Sequence, residues 1–325
     1  MGKTIPVLEE KFSPTPIYRL AGDYSNNNIY IKRDDFIPFS FGGNKARKAA
    51  FFYKDIIKEN PDVIMTYGSN SSNHCRIIAN MAASLGKKCH IIAPDTEVGE
   101  NKLLNRMMVE KFGASIEVVP VEMVHDTIEN RIESFKKEGL KPYFIMGGGH
   151  GNLGTMAYIK AYIEINKQVN EGFPKFKYIF FASGTGTTQA GLVCGKELSK
   201  DTWKPEIVGI SIARKNPRGR DVVKESIKEY FDSEVSKEFF DDNFKEEDLI
   251  FVDDYAGNGY GQLDMDVKET IDKVMTSDGI PMDFVYVGKA FCGMIKYLEK
   301  ENIKGEDVLF IHTGGTPLFF DSINN

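Results

Sequence analysis

Two stretches of this 325-residue chain set small residues beside groups that can bind or react. SGTGTTQAG (183–191) follows an apolar run and opens into the helical sequence GLVCGKEL. A helix start leaves backbone N–H groups unpaired, so they can point at an anion, and glycine lets that backbone come close. Thr185, Thr187 and Thr188 add hydroxyl donors to Gly184 and Gly186. The dinucleotide fingerprint would need a third glycine where Gln189 stands, and the P-loop a Gly-Lys pair that is absent, so this is a phosphate cup of another kind. GGNK (42–45) puts two glycines and an asparagine before Lys45, at the head of an Ala-rich helical run. An ammonium there faces the positive end of the helix dipole, which lowers its pKa and suits it to imine formation. Taken singly, a Gly-rich turn is most often a helix cap and a lysine most often solvated. Together, an imine-forming amine and a seat for one phosphate are the two fixtures that pyridoxal phosphate needs.

The elements that must position these groups read as βα units. β-branched and aromatic runs at 29–32, 63–68, 89–94, 115–120, 143–149, 178–184, 207–213, 249–254 and 308–314 alternate with amphipathic stretches, the pattern of an α/β protein with mostly parallel sheets. Ligands of such sheets gather at the carboxyl ends of strands. Two more Gly/Ser/Thr/Asn-rich segments stand at such ends, GSNSSNH (68–74) and HTGGTP (312–317). The charged segment 232–248 reads as solvated helix and loop.

Composition narrows the function classes. A length of 325 residues suggests about two domains. Hydrophobic residues at 42% and charged residues at 27% describe a chain able to bury a core, and 41 basic against 47 acidic residues leave no positive excess for nucleic acid or anionic membranes. Cys75, Cys89, Cys194 and Cys292 stand far apart without metal-ligand spacing, so no metal is expected. No signal core or membrane-spanning run is legible, and a cytoplasmic enzyme acting on a small molecule is the expectation.

The chain resembles the 1-aminocyclopropane-1-carboxylate (ACC) deaminase and D-cysteine desulfhydrase group of fold type II, tryptophan synthase β-like, pyridoxal-phosphate enzymes. The likeness runs in order through TPIYRL (15–20), IYIKRDD (29–35), GGNKARK (42–48), SNSSNH (69–74), GGGHGNLGTMAY (147–158), SGTGTTQAG, GNGYG (257–261), YVGKAFCGM (286–294) and HTGGTPLF (312–319). It implies two open, mostly parallel twisted sheets with flanking helices and the cofactor in the cleft between domains. The large, cofactor-binding domain would comprise 1–48 and 160–325, and the small inserted domain 49–159. It also implies that Lys45 holds pyridoxal 5'-phosphate covalently and shuttles the Cα proton. Asn73 would meet the cofactor's phenolic oxygen. Gly184, Thr185, Gly186, Thr187 and Thr188 would hold the phosphate. Ser72 and His74 would line the substrate carboxylate site, with Tyr260 and Tyr286 facing the substrate. A homodimer is usual in the group.

Two positions depart from the group's pattern. The ACC deaminase branch carries an acidic residue after the first Tyr of YxGK, as partner of the pyridine nitrogen, where this chain has Val287; Thr313 is then the candidate partner. GGGHG (147–151) stands where relatives carry Gly-Gly-Ser-Asn, so His150 either reshapes the pocket or is satisfied by backbone. The resemblance thus implies α,β-elimination and deamination of a small amino acid to a 2-oxo acid and ammonia, desulfhydrase-like. The alternatives are ACC deamination, β-replacement, or a catalytically silent cofactor-binding protein.

Overall fold

The computed structural model describes residues 3–9, 14–95, 103–234, 244–257, 259, 261–262 and 264–322. Ten strands are formed: β1 (Ile17–Arg19), β2 (Asn28–Arg33), β3 (Val63–Tyr67), β4 (Lys88–Pro94), β5 (Ser115–Val119), β6 (Pro142–Ile145), β7 (Tyr178–Ser183), β8 (Glu206–Ser211), β9 (Ile250–Val252) and β10 (Asp307–His312). The described helices are α1 (Pro6–Glu9), α2 (Asn44–Glu59), α3 (Asn73–Leu85), α4 (Leu104–Lys111), α5 (Val124–Lys137), α6 (Asn152–Asn170), α7 (Thr187–Leu198), α8 (Arg218–Glu234), α9 (Met265–Asp278), α10 (Val287–Lys300) and α11 (Thr316–Ser322). Every expected strand is present, several ending earlier than read; the run at 143–149 stops at Ile145 because glycine carries the chain into a turn. β1 is additional. Of the charged segment 232–248, residues 235–243 lie outside the described ones.

Two sheets result. One has the order β1-β2-β10-β7-β8-β9, parallel except for β1 against β2, and the other the order β5-β4-β3-β6, parallel throughout. In each the chain builds outward from one strand, β7 to β9 and β3 to β5, and then returns to the far side of that strand, with β10 and β6. The reversal falls between β7 and β10 in one sheet and between β3 and β6 in the other. Such switch points open a crevice at the strands' carboxyl ends. The four segments leaving those ends are 184–186, 313–315, 68–72 and 146–151, which include all the Gly-rich strand-end stretches singled out in the sequence.

Alternation along the strands explains why the larger sheet is covered on both faces. Ile179, Phe181, Leu309 and Ile311 enter one apolar cluster, while Phe180, Ala182, Val308 and Phe310 enter another. Parallel strands buried on both faces are expected to be almost wholly apolar, and these are. The smaller sheet packs Ile64, Ile91 and Ile145 with the inner face of α2 and α3. Among the described residues no helix is long and apolar enough to cross a membrane.

A buried ionic network fastens α2 to the larger sheet. Arg47 pairs with Asp34 at 2.5 Å and with Glu164 of α6 at 3.0 Å, and Lys32 pairs with Glu164 at 2.5 Å. Tyr158 donates to Asp34 Oδ2 at 2.8 Å and Thr15 to Asp34 Oδ1 at 2.9 Å. The start of α2 is therefore held by the larger sheet while its apolar face packs with the smaller one.

Candidate active site

Lys45 is the second residue of α2, whose cap is Gly43 with φ 87° and no side-chain cap bond. A Cβ on Gly43 would lie 2.5 Å from the Thr313 carbonyl oxygen and 2.9 Å from Gly314 Cα, so only glycine lets this loop press on the end of β10. The next residue continues the contact: Asn44 donates its N–H to Thr313 O at 3.0 Å and its Nδ2 to Thr188 Oγ1 at 3.2 Å. Lys45 is half-buried, and burial lowers its pKa to about 8. In cofactor-free protein, reductive methylation of Lys45 followed by mass spectrometry should therefore rise through a pH of about 8. A profile centred near the ordinary lysine value of 10.5 would contradict that environment.

The loop read from the sequence as a phosphate cup leads into the first turn of α7. Its cap, Gly186, has φ 99° and makes no side-chain cap bond, so the first N–H groups of the helix stay open to a ligand. Thr187 and Thr188 are buried and Gly184 leads in from β7. Lys48, which sequence reading passed over, completes this place. It is 1% exposed and donates to Thr187 Oγ1 at 2.7 Å and Gly148 O at 3.4 Å. Burial, and then the charge of Lys45, push its pKa well below the ordinary value. No carboxylate pairs with it among the described residues, so a buried amine without a counter-ion stands beside an uncapped helix start. The spacing signal was available: residues i and i+3 of a helix share a face, and Lys45 and Lys48 are so spaced.

Across the cleft, Ser72 caps α3 by accepting the Cys75 N–H at 3.2 Å, which leaves its hydroxyl hydrogen able to donate. Asn73 is half-buried at the first position of α3. His74 turns inward, at 3% exposure, with Nε2 2.8 Å from Thr66 Oγ1. Thr66 donates to Ile145 O at 2.7 Å, so His74 must be the donor in their bond. Burial, then the charges of Lys45 and Lys48, keep its imidazole neutral. His150 donates from Nδ1 to Thr185 O at 3.2 Å, the backbone-satisfied alternative, and so ties the loop after β6 to the phosphate cup. A Cβ on Gly148 would lie 2.6 Å from Thr185 Cγ2, showing how closely these loops meet.

At the remaining wall Thr313 is buried at 7% exposure beyond β10. Tyr286 is half-buried at the cap of α10, and Val287 is fully buried in the apolar cluster beneath the larger sheet. Asp283 accepts the N–H groups of Val285, Tyr286 and Val287 at 2.9, 2.7 and 3.2 Å, and burial raises its pKa to about 7. Lys289 donates to Gly259 O at 2.8 Å and Ala256 O at 3.1 Å, anchoring the GNGYG loop. Tyr260 of that loop lies outside the described residues.

This geometry agrees with what comparison finds. Residues 8–314 match the family model described as pyridoxal-phosphate dependent enzyme. A solved ACC deaminase homologue is 32% identical, with a TM-score of 0.81, over 93% of this chain and 90% of that one. The chain belongs to the pyridoxal-phosphate dependent enzyme family. More distant structures share the fold. A hydrogen sulfide-producing enzyme from Fusobacterium nucleatum is 18% identical, with a TM-score of 0.63, over 95% of this chain and 97% of that one. The processed form of threonine deaminase isoform 2 from Solanum lycopersicum is 17% identical, with a TM-score of 0.64, over 93% of this chain and 84% of that one. The chain is thus a fold type II enzyme that uses pyridoxal 5'-phosphate, and its residues fit that group. Lys45 supplies an amine of lowered pKa, and Lys48 supplies a buried amine without a counter-ion beside the open N–H groups of α7, a setting in which a phosphate dianion would favour its protonated form.

Proposed function

We propose that this enzyme is a D-cysteine desulfhydrase-like lyase that carries out α,β-elimination on a small amino acid, releasing a 2-oxo acid and ammonia. The observation that carries this reading is position 287, where a fully buried valine in an apolar cluster offers no carboxylate to a ring nitrogen. Thr313, at the end of β10, then serves as its partner, and a hydroxyl leaves the ring less electron-demanding than an ion pair would. Elimination of a good β-leaving group tolerates that; chemistry that needs deep delocalisation of a carbanion does not.

When bound, the cofactor supplies a carbonyl that an amine can hold covalently and a conjugated ring that acidifies the substrate Cα–H. The chain's own residues do the rest. Gly184, Thr185, Gly186, Thr187 and Thr188, with Lys48, hold the phosphate, and Asn73 donates to the phenolic oxygen. Ser72, with the N–H groups at the start of α3, seats the substrate carboxylate, where backbone donors and the helix dipole favour an anion. Lys45 would hold the cofactor covalently at rest, and its Nζ, once free, would take the Cα proton as the β-substituent leaves. A lysine pKa of about 8 keeps a usable neutral fraction at neutral pH. The resemblance gives Tyr286 and Tyr260 the role of assisting proton transfer to the leaving group.

A two-domain division into 1–48 with 160–325, and 49–159, accompanies this reading. It is supported by the sheets, since each draws its strands from one of those parts. A cytoplasmic homodimer is the form we expect.

A second reading, ACC deaminase activity, draws on the likeness to the ACC deaminase homologue. The purified holoenzyme should be incubated with D- and L-amino acids bearing β-leaving groups, and with ACC, while 2-oxo acid is measured. Elimination from a β-substituted substrate should dominate, with ACC almost untouched. Faster release of 2-oxo acid from ACC than from any β-substituted amino acid would overturn the proposal in favour of the second reading.

A further inference from the structure

Arg76, at the fourth position of α3, is fully buried, and among the described residues no carboxylate pairs with it. Burial brings its pKa down to about 9, so it remains charged at neutral pH. An unpaired buried cation is costly, and an apolar side chain of similar length would fill the space at less cost. What its donors reach is therefore informative. Nη1 donates to Asn73 Oδ1 and to Asn105 Oδ1, each at 2.6 Å, and Nη2 donates to the Ser40 carbonyl at 2.8 Å. Among the described residues its Nε has no hydrogen-bond partner.

These contacts remove the usual ambiguity of a carboxamide. A guanidinium can only donate, so the atom of Asn73 that faces it must be the oxygen. Asn105 is fixed by the same logic: its Nδ2 donates to the Ser71 carbonyl at 2.7 Å and also reaches Asn73 Oδ1 at 3.1 Å. Both acceptor positions of Asn73 Oδ1 are then used. What its carboxamide has left to offer a ligand is the NH2 group.

We propose that Arg76 is a positioning residue for the cofactor: it fixes the Asn73 carboxamide so that Nδ2, a donor, meets the cofactor's phenolic oxygen. Through the Ser40 carbonyl it also ties that carboxamide to the loop that leads into Lys45. The inference deepens the proposed reading and rests on its assignment of Asn73 to the phenolic oxygen. An oxygen acceptor turned to the same place would repel a phenolate. The sign of the interaction, and not only its strength, thus depends on a residue that does not itself touch the cofactor.

A double-mutant cycle separates this from a general role in folding. Resolved wild type, Asn73→Ala, Arg76→Met and the double variant are titrated with pyridoxal phosphate, and the visible band of each loaded protein is recorded. Asn73→Ala should weaken binding about tenfold or more, the scale of a hydrogen bond to a charged acceptor. Arg76→Met should weaken it comparably and shift the visible band in the same direction. The double variant should bind no more weakly than Asn73→Ala alone, because contacts acting through one group do not add. Arg76→Lys keeps the charge on a single donor nitrogen; it provides the same comparison if Arg76→Met does not fold, with a smaller loss that again vanishes in the Asn73→Ala background. Losses that multiply across the cycle would overturn the proposal and make Arg76 a stabilising residue only. An Asn73→Ala variant that binds and absorbs like wild type would instead remove the assignment of Asn73 on which the proposal rests.

Discussion

Lys45→Ala yields a protein that keeps no cofactor covalently. Borohydride should fix the cofactor of the yellow wild-type holoenzyme to Lys45, whereas the reduced and dialysed variant should carry none by mass spectrometry. Turnover should fall by at least the 10²–10⁴-fold that a positioned proton-transfer group contributes, because the variant has neither the covalent anchor nor the base. Phosphate binding should survive, since Lys48 still donates to Thr187 and the N–H groups of α7 remain open. Fluorescence quenching by added cofactor can measure that residual affinity. A Lys45→Ala protein that retains cofactor covalently after borohydride reduction would move the covalent role to another lysine, with Lys48 the first to test.

Asp34→Ala should cost about 3–5 kcal/mol of stability, the scale of removing one partner from a buried ion pair. Asp34 is fully buried and receives Arg47 Nη2 at 2.5 Å and Nε at 3.0 Å. Removing it leaves Arg47 to share Glu164 with Lys32. The loss should show as a lower denaturant midpoint with little change in slope. The pH dependence follows from the same pair. Burial opposes the charge on Asp34, but Arg47 outweighs it and holds the carboxyl below its ordinary value of 3.8. Such a group contributes stability that is present above its unfolded pKa and lost as pH falls through the folded one. Wild type should therefore lose part of its stability below a pH of about 3.8, and Asp34→Ala should lack that part of the acid limb. A change under about 1 kcal/mol would mean that the network contributes no more than an exposed ion pair.

What the sequence made legible depended on whether the signal was local. The strands of both sheets could be read because buried parallel strands are nearly continuous runs of Val, Ile and Phe. β1 escaped because three residues, IYR, carry no period, and its place is set by pairing with β2. Lys45 and the phosphate cup could be read because glycines mark both places. Lys48 and Arg76 could not, because nothing in a lysine or arginine codon position says that it will be buried without a counter-ion. Only the i, i+3 spacing of Lys48 from Lys45, and of Arg76 from Asn73, hinted that each pair shares a helix face. His150 also needed the fold, since its partner is a carbonyl thirty-five residues away.

The lone charge of Lys48 has a thermodynamic meaning for the chain as a whole. Without an anion at the head of α7, folding must either bury an ammonium that, among the described residues, a threonine hydroxyl and a carbonyl accept from, or strip Lys48 of its proton, and each costs free energy. A bound phosphate supplies the missing negative charge, and it does so only in the native state, because the cup does not exist in the unfolded chain. By mass action, free cofactor at a hundred times its dissociation constant adds about 2.7 kcal/mol to unfolding. The melting temperature of this enzyme is thus a function of cofactor concentration, and the vitamin-derived ligand acts as a component of the fold as well as a reagent.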